Sequence, residues 1–232
     1  MIEFQDVCKT FGNTRVLDGL SFTVPRGSIV SLVGPNGSGK STLLRILLNL
    51  EKATSGEAII GGKPYAEFSK DSEVGVSLDT MIPHPSRRAI DQLCWIAAAK
   101  GIDKQSCVEK LEYVGLAGAE RRRIKAYSLG MKQRLRIASA LLGDPDVLVL
   151  DEPVNGLDPE GIRWLRDFLT KFSSEGKTIL ITSHLMNELE QLATDFVFLH
   201  KGKIVEQVSR DQLKEQYLSL EQAYFTLNHA EN

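Results

Sequence analysis

Gly34-Pro35-Asn36-Gly37-Ser38-Gly39-Lys40-Ser41-Thr42 matches the pattern G-x-x-x-x-G-K-[ST] at every fixed position. The six residues before it, Ser28-Ile29-Val30-Ser31-Leu32-Val33, form a short apolar run that predicts a buried strand. The residues after it, from Ser41 to Asn49, place Leu43, Leu44, Ile46, Leu47 and Leu48 at helical spacing. Strand, glycine-rich loop and helix in this order suit a phosphate. The glycines let backbone N–H groups curl around an anion with no Cβ in the way. The helix N-terminus adds partial positive charge at the same point. Lys40 is placed to pair with the β- and γ-phosphates, and the Ser41 hydroxyl to hold Mg²⁺. A nucleoside triphosphate is therefore expected here, and its use must be read from the rest of the chain.

The bulk properties narrow that use. At 232 residues the chain suits one large α/β domain, or one with an inserted subdomain. Its formal net charge of −2 argues against nucleic acid as the main partner. Cys8, Cys94 and Cys107 are scattered without metal-ligand spacing and read as reduced thiols. Met1-Ile2-Glu3-Phe4-Gln5-Asp6 has no basic region and no long apolar stretch, so it is not expected to be a secretory leader. No segment approaches ~20 consecutive apolar residues. Any membrane role is expected to run through a partner.

Ahead of the phosphate loop, Ile2, Phe4 and Val7 give a weak strand signal, Lys9 to Thr14 reads as a turn, and Val16 to Val24 as a second strand. Phe11 then falls on a loop, either to stack on a nucleotide base or to plug the core. After the loop come a strand and hairpin turn over Thr54 to Lys63, and a short strand over Glu73 to Asp79. Helices are expected from about Arg88 to Lys100, from Lys104 to Val114, and from Ser128, a candidate N-cap, onward. Residues 79–143 thus read as a helical insertion. Arg121-Arg122-Arg123 reads as a solvated face.

Val147-Leu148-Val149-Leu150-Asp151-Glu152 is a buried parallel strand with two acids at its C-terminal end, the edge at which open α/β sheets bind ligands. Asp151 is placed to hold Mg²⁺, and Glu152 to polarise an attacking water. Asn155 to Pro159 is a turn before a helix reaching about Phe172. Thr178 to Thr182 is a further buried strand, with Ser183-His184 at its C-terminal end. Asp195 to Leu199 and Lys203 to Gln207 are the last strands, and Ser209 caps a final helix to about Tyr217. The tail, Leu218 to Asn232, is ambiguous. Strands alternating with helices make the sheet mostly parallel.

In order and spacing these motifs resemble the nucleotide-binding subunit of an ABC transporter, across residues 2–227. Gly34 to Thr42 is similar to Walker A, and Val147 to Glu152 to Walker B with the catalytic Glu. Asn155-Gly156-Leu157-Asp158 is similar to the D-loop and His184 to the switch histidine. Tyr127-Ser128-Leu129-Gly130-Met131 stands where LSGGQ is usual, with Gln133-Arg134 following. Phe11 matches the aromatic A-loop position, which favours adenine stacking. Two departures stand out. Leu129 and Met131 occupy positions where Gly and Gln are usual, and Asp79 occupies the Q-loop position. An acid there resembles the "E-loop" of bacterial exporters of lantibiotics and bacitracin-like peptides.

The resemblance implies an α/β P-loop fold in a single domain. Residues 1–78 and 144–217 would form the RecA-like core with an N-terminal antiparallel β subdomain. Residues 79–143 would form the helical subdomain, and 218–232 a short tail. It implies ATP and Mg²⁺ as ligands, with Ser41, Asp151 and Asp79 toward the metal. It gives catalytic roles to Glu152, His184 and Asp79. Ser128, Leu129, Gly130 and Met131 would face the ATP of a second, identical or paralogous copy packed head to tail, and Asp158 would couple the two sites. The implied partner is a transmembrane permease and the implied place the cytoplasmic face of the membrane. The implied work is ATP-driven export, with antimicrobial peptides first and other drugs or lipids as the remaining cargo. Two other classes compete: a soluble ATPase of the same family acting on DNA or ribosomes, and a small-molecule P-loop kinase. The first expects a coiled-coil insertion or a fused second domain, the second lid arginines.

Overall fold

The computed structural model describes residues 1–68 and 74–229 and divides the chain into two compact units, Met1–Glu67 with Phe168–Asn232, and Phe68–Asp167. Glu73 and the last three residues of the tail, both covered by expectations above, lie outside the described residues.

The first unit holds two sheets. In one, β1 (Ile2–Phe11) lies between β2 (Thr14–Val24) and β4 (Ser55–Ile60), antiparallel to both. Its inward face carries Ile2, Phe4, Leu20, Phe22 and Val24, and the Phe4 and Phe22 rings stack at 4.5 Å. In the other, β3 (Ile29–Val33) pairs in parallel with β7 (Thr178–Thr182) on one side and β8 (Asp195–His200) on the other. β9 (Lys203–Ser209) closes that side antiparallel to β8. All five residues of β3 and of β7 are buried. This is why both strands read as continuous apolar runs rather than alternating ones.

Around these strands stand α1 (Lys40–Leu47), α6 (Met186–Leu192), α7 (Arg210–Gln216) and α8 (Leu220–His229). Ser209 caps α7 in a reciprocal capping box with Gln212.

One expectation is corrected here, and one point left open is decided. The first strand does not stop at Val7. It continues through Lys9 and Thr10 to Phe11, with only Gly12 and Asn13 left as the turn, so Phe11 ends a strand instead of sitting on a loop. The β-irregularities between Phe4 and Val7 and between Val7 and Lys9 break the alternation that the sequence pattern relies on. The tail is likewise decided. Its α8 buries Leu220 and Ala223, packs on α6, and takes a bond from the Leu220 N–H to Glu190 Oε2 at 2.8 Å.

The second unit is built on β5 (Val74–Ser77), parallel to β6 (Val147–Asp151) in the register Ser77 to Leu150. Three helices follow β5: α2 (Ala89–Lys100), α3 (Lys104–Tyr113) and α4 (Leu129–Ala140). Gly101, in a left-handed conformation, ends α2, and Asp103 caps α3 through the Ser106 N–H at 2.7 Å. α2 and α3 pack together, and burial beside the Cys94 thiol pushes the Cys107 thiol up to about 12. α4 lies on β5 so closely that a Cβ at Gly75 would overlap the Ala140 carbonyl. α5 (Pro159–Ser174) crosses the boundary at Phe168.

Candidate functional site

In the first unit the phosphate loop leaves the C-terminal end of β3. Gly34 is buried against β8, and a Cβ there would overlap the Leu199 carbonyl. Gly37 and Gly39 take φ of 81° and 108°, conformations closed to most L side chains. Gly39 then starts α1 without a side-chain cap, which leaves the first N–H groups of the helix directed into the loop. Lys40 folds its ammonium back over the loop and donates to the carbonyls of Gly34 at 2.6 Å and Pro35 at 3.1 Å. Ser38 is buried, and among the described residues its hydroxyl has no hydrogen-bond partner. A cationic head and uncapped helix N–H groups at one glycine-rich loop fit a phosphate, whose oxygens would satisfy both.

β7 runs beside β3 with Leu32 opposite Thr182, so His184 leaves the same sheet edge as the phosphate loop. Ser183 is fully buried and fixes the turn by accepting the Leu185 N–H at 3.1 Å, while His184 itself is exposed. The β1–β2 hairpin that ends in Phe11 touches the phosphate loop through Leu17. The cross-strand partner of Phe11 is Thr14, and three residues along β2 the Leu17 side chain fills the space above Gly39. Phe11 is 46% exposed. Lys9 holds the ring from one side, with its ammonium 4.5 Å from the ring centroid. That ammonium is anchored by Glu51 at 2.6 Å and the Lys52 carbonyl at 2.7 Å. The same bond holds the Glu51 carboxyl below its ordinary range.

In the second unit Asp151 ends β6 and Asp79 follows β5, on the same edge of that strand pair. Glu152 comes next in a left-handed conformation, φ 52°, unusual for a residue with a side chain. Such backbone strain costs about 1–3 kcal/mol and gathers at functional sites.

Ser128 caps α4, accepting the Met131 N–H at 3.1 Å. The Asn155–Asp158 turn lies against this helix start, with Gly156 against the Leu129 side chain and Leu157 near Gly130. A Cβ at Gly156 would stand 3.1 Å from Leu129 Cβ, and the φ of 76° disfavours one in any case. Asp158 caps α5, accepting the Gly161 N–H at 2.8 Å, while its own side chain lies at the surface.

Arg136 is the residue of this unit that sequence reasoning missed. It rises from α4 eight positions after Ser128. Its guanidinium donates to the Leu78 carbonyl and to Gln133 Oε1 at 3.0 Å, and lies 3.6 Å from Asp79 Oδ1. Burial lowers its pKa, and the carboxylates of Asp79 and Asp151 oppose that shift. Lys9 was missed as well, because the sequence reads it into a turn and only the pairing of β1 with β2 puts it on one strand with Phe11.

Among the described residues no group of three or more His, Cys, Asp and Glu side chains is arranged to hold a metal. A magnesium ion bound mainly by substrate phosphates and waters needs only one or two protein oxygens.

Comparison with known proteins gives the class of the protein. The family model described as "ABC transporter" matches residues 17–155, and the chain belongs to that family. It is similar to the lantibiotic transport ATP-binding protein SrtF of Streptococcus pyogenes, at 38% identity over 88% of this chain and 89% of that protein. It is also similar to the bacitracin transport ATP-binding protein BcrA of Enterococcus faecalis, at 41% identity over 92% of this chain and 70% of that one. A solved ATP-binding subunit of an ABC transporter superposes with a TM-score of 0.85 at 26% identity, covering 98% of this chain and 99% of the other. A bacterial ABC transporter cassette solved as a dimer, MJ0796, does so at 0.82 and 25%, covering 90% and 99%.

The chain is thus the ATP-binding, ATP-hydrolysing subunit of an ABC transporter, with the α/β P-loop fold of that family. A soluble ATPase acting on DNA or ribosomes is not favoured. Among the described residues no helix is long and apolar enough to cross a membrane.

Proposed function

We propose that this subunit powers export of antimicrobial peptides of the lantibiotic or bacitracin kind through a separate permease at the cytoplasmic face of the membrane. In this reading two copies, identical or paralogous, pack head to tail around two ATP molecules. The observation that carries it is a phosphate loop built to hold a triphosphate in the same chain as an exposed, Ser128-capped helix start. A surface helix N-terminus attracts an anion, and the γ-phosphate held by a facing copy is one. The names of SrtF and BcrA support the cargo, and the dimeric MJ0796 cassette supports the pairing.

The chain's own residues would then act as follows. Lys40, with the N–H groups of Gly37 to Thr42, binds the β- and γ-phosphates. Ser41 and Asp151 offer the hard oxygen ligands suited to Mg²⁺, which neutralises charge on the transferring phosphate. Glu152 orients the attacking water and accepts its proton. His184 donates to the γ-phosphate. Ser128, Leu129, Gly130 and Met131 close the facing site through the Ser128 hydroxyl and backbone N–H groups. Asp158, as the cap of α5, ties the turn at that contact to a rigid helix.

Phe11 stacks on adenine with Lys9 beneath it. Replacing Phe11 by Ala is expected to weaken ATP binding by about 1–3 kcal/mol, roughly 5- to 150-fold, while leaving tripolyphosphate binding unchanged. Equilibrium titration of both ligands checks this, and equal losses for the two would remove the stacking role.

The function itself is tested in membranes. The tagged chain, co-expressed with a candidate bacitracin- or lantibiotic-exporter permease, is expected to co-purify with that permease from detergent extract. The pair should also raise bacitracin or lantibiotic tolerance in a sensitive host. Turnover stimulated by DNA or ribosomes and indifferent to the permease would defeat the transport reading.

A further inference from the structure

We propose that Arg136 is the positioning residue that couples the Ser128 helix to the acidic sheet edge, and that Asp79 acts through it. The inference rests on the ATPase reading of the site and concerns how its two anion-handling parts are kept in step.

The Arg136 side chain is 12% exposed, and a charge so removed from water must be matched by acceptors. Three are supplied: the Leu78 carbonyl, Gln133 Oε1 and the Asp79 carboxylate. Gln133 belongs to the same helix, so it stiffens the arginine without linking it to anything else. Leu78 and Asp79 belong to the segment leaving β5, beside the strand that ends in Asp151. Arg136 is therefore bonded to both the helix and the edge.

The two contacts differ in kind. At 3.6 Å the Asp79 pair is an ion pair and too long for a hydrogen bond, and the Asp79 side chain is 62% exposed. The bond to the Leu78 carbonyl holds the backbone. Asp79 biases the guanidinium toward that carbonyl, and Arg136 carries the load. A rotation of α4 at its Ser128 end must then drag Leu78 and Asp79, or strand a desolvated guanidinium. This gives Asp79 a partner inside the chain, in place of the direct contact with Mg²⁺ or water that the resemblance implies.

The test is a double-mutant cycle on the full chain with ATP. Arg136→Gln is expected to lower kcat about 2- to 30-fold, the range of coupling mutations, with KM within about two-fold. Binding of a fluorescent ATP analogue without Mg²⁺ should be unchanged. Asp79→Asn should lower kcat less, and the double variant should match Arg136→Gln alone. Arg136→Lys, with charge but no planar fork, should recover part of the loss. Additive losses would overturn the proposal, as would KM and affinity falling with kcat. If Arg136→Gln does not fold, Asp79→Asn decides alone, because its side chain is exposed: parental kcat in that variant overturns the coupling. Absence of turnover in the parent chain would instead count against the ATPase reading.

Discussion

Glu152→Gln is expected to lower steady-state ATP turnover by about 10²- to 10⁴-fold, the span of a lost general base, while ATP binding persists. Gln keeps the length and planarity of Glu and can still hold a water, but it cannot take its proton. The backbone demand at this position, φ 52°, is the same for both residues, so the change touches the chemistry and little else. The binding groups of the phosphate loop are unaltered, so nucleotide should accumulate uncleaved. In the head-to-tail reading ATP joins two copies, so the variant should also shift toward dimer when ATP and Mg²⁺ are present. Phosphate release and size-exclusion chromatography with and without nucleotide measure the two effects. Turnover within about ten-fold of the parent would take the proton from Glu152 and send the search to another acceptor at that edge.

How much of this was legible beforehand depended on whether a feature was local. β3 and β7 were readable because strands buried on both faces are unbroken apolar runs, and the acids and His184 were readable because they stand where such runs end. The phosphate loop was readable because its glycines answer a backbone requirement that the sequence displays directly. The sequence marks Phe11 as a candidate for base stacking but places it on a loop, whereas it ends β1. Lys9 and Thr10 are polar and Gly12 punctuates, so β1 seemed to stop early, whereas pairing with Leu17, Arg15 and Thr14 carries it to Phe11. The tail is ambiguous in the sequence for a related reason. Ser219 does cap α8, accepting the Gln222 N–H at 3.1 Å, but a capped ten-residue helix is marginal alone, and α6 decides it. Arg136 was illegible for the strongest reason: an arginine on a long helix is ordinarily a solvated face, and only the fold brings the Leu78 carbonyl and Asp79 to it.

Lys40→Ala should do more damage to binding than any other single change in the first unit. The ammonium sits at the first residue of α1, already stripped of part of its water and held by the Gly34 and Pro35 carbonyls. It needs only to swing from those carbonyls to the phosphates, so the site is preorganised around one charge. Removing a charged partner from such a site costs about 2–5 kcal/mol, or roughly 30- to 5,000-fold in ATP affinity. The fold should tolerate the change, because Ala is the best helix former and Lys40 opens a helix. Lys40→Arg is not expected to rescue binding. A planar fork cannot take the place of a compact ammonium in a loop whose Gly39 already touches Leu17. Calorimetric titration with ATP measures the loss, and a thermal midpoint without nucleotide checks the fold. An Ala variant that folds and binds ATP within about three-fold of the parent would mean that the backbone N–H groups and the α1 dipole hold the triphosphate alone.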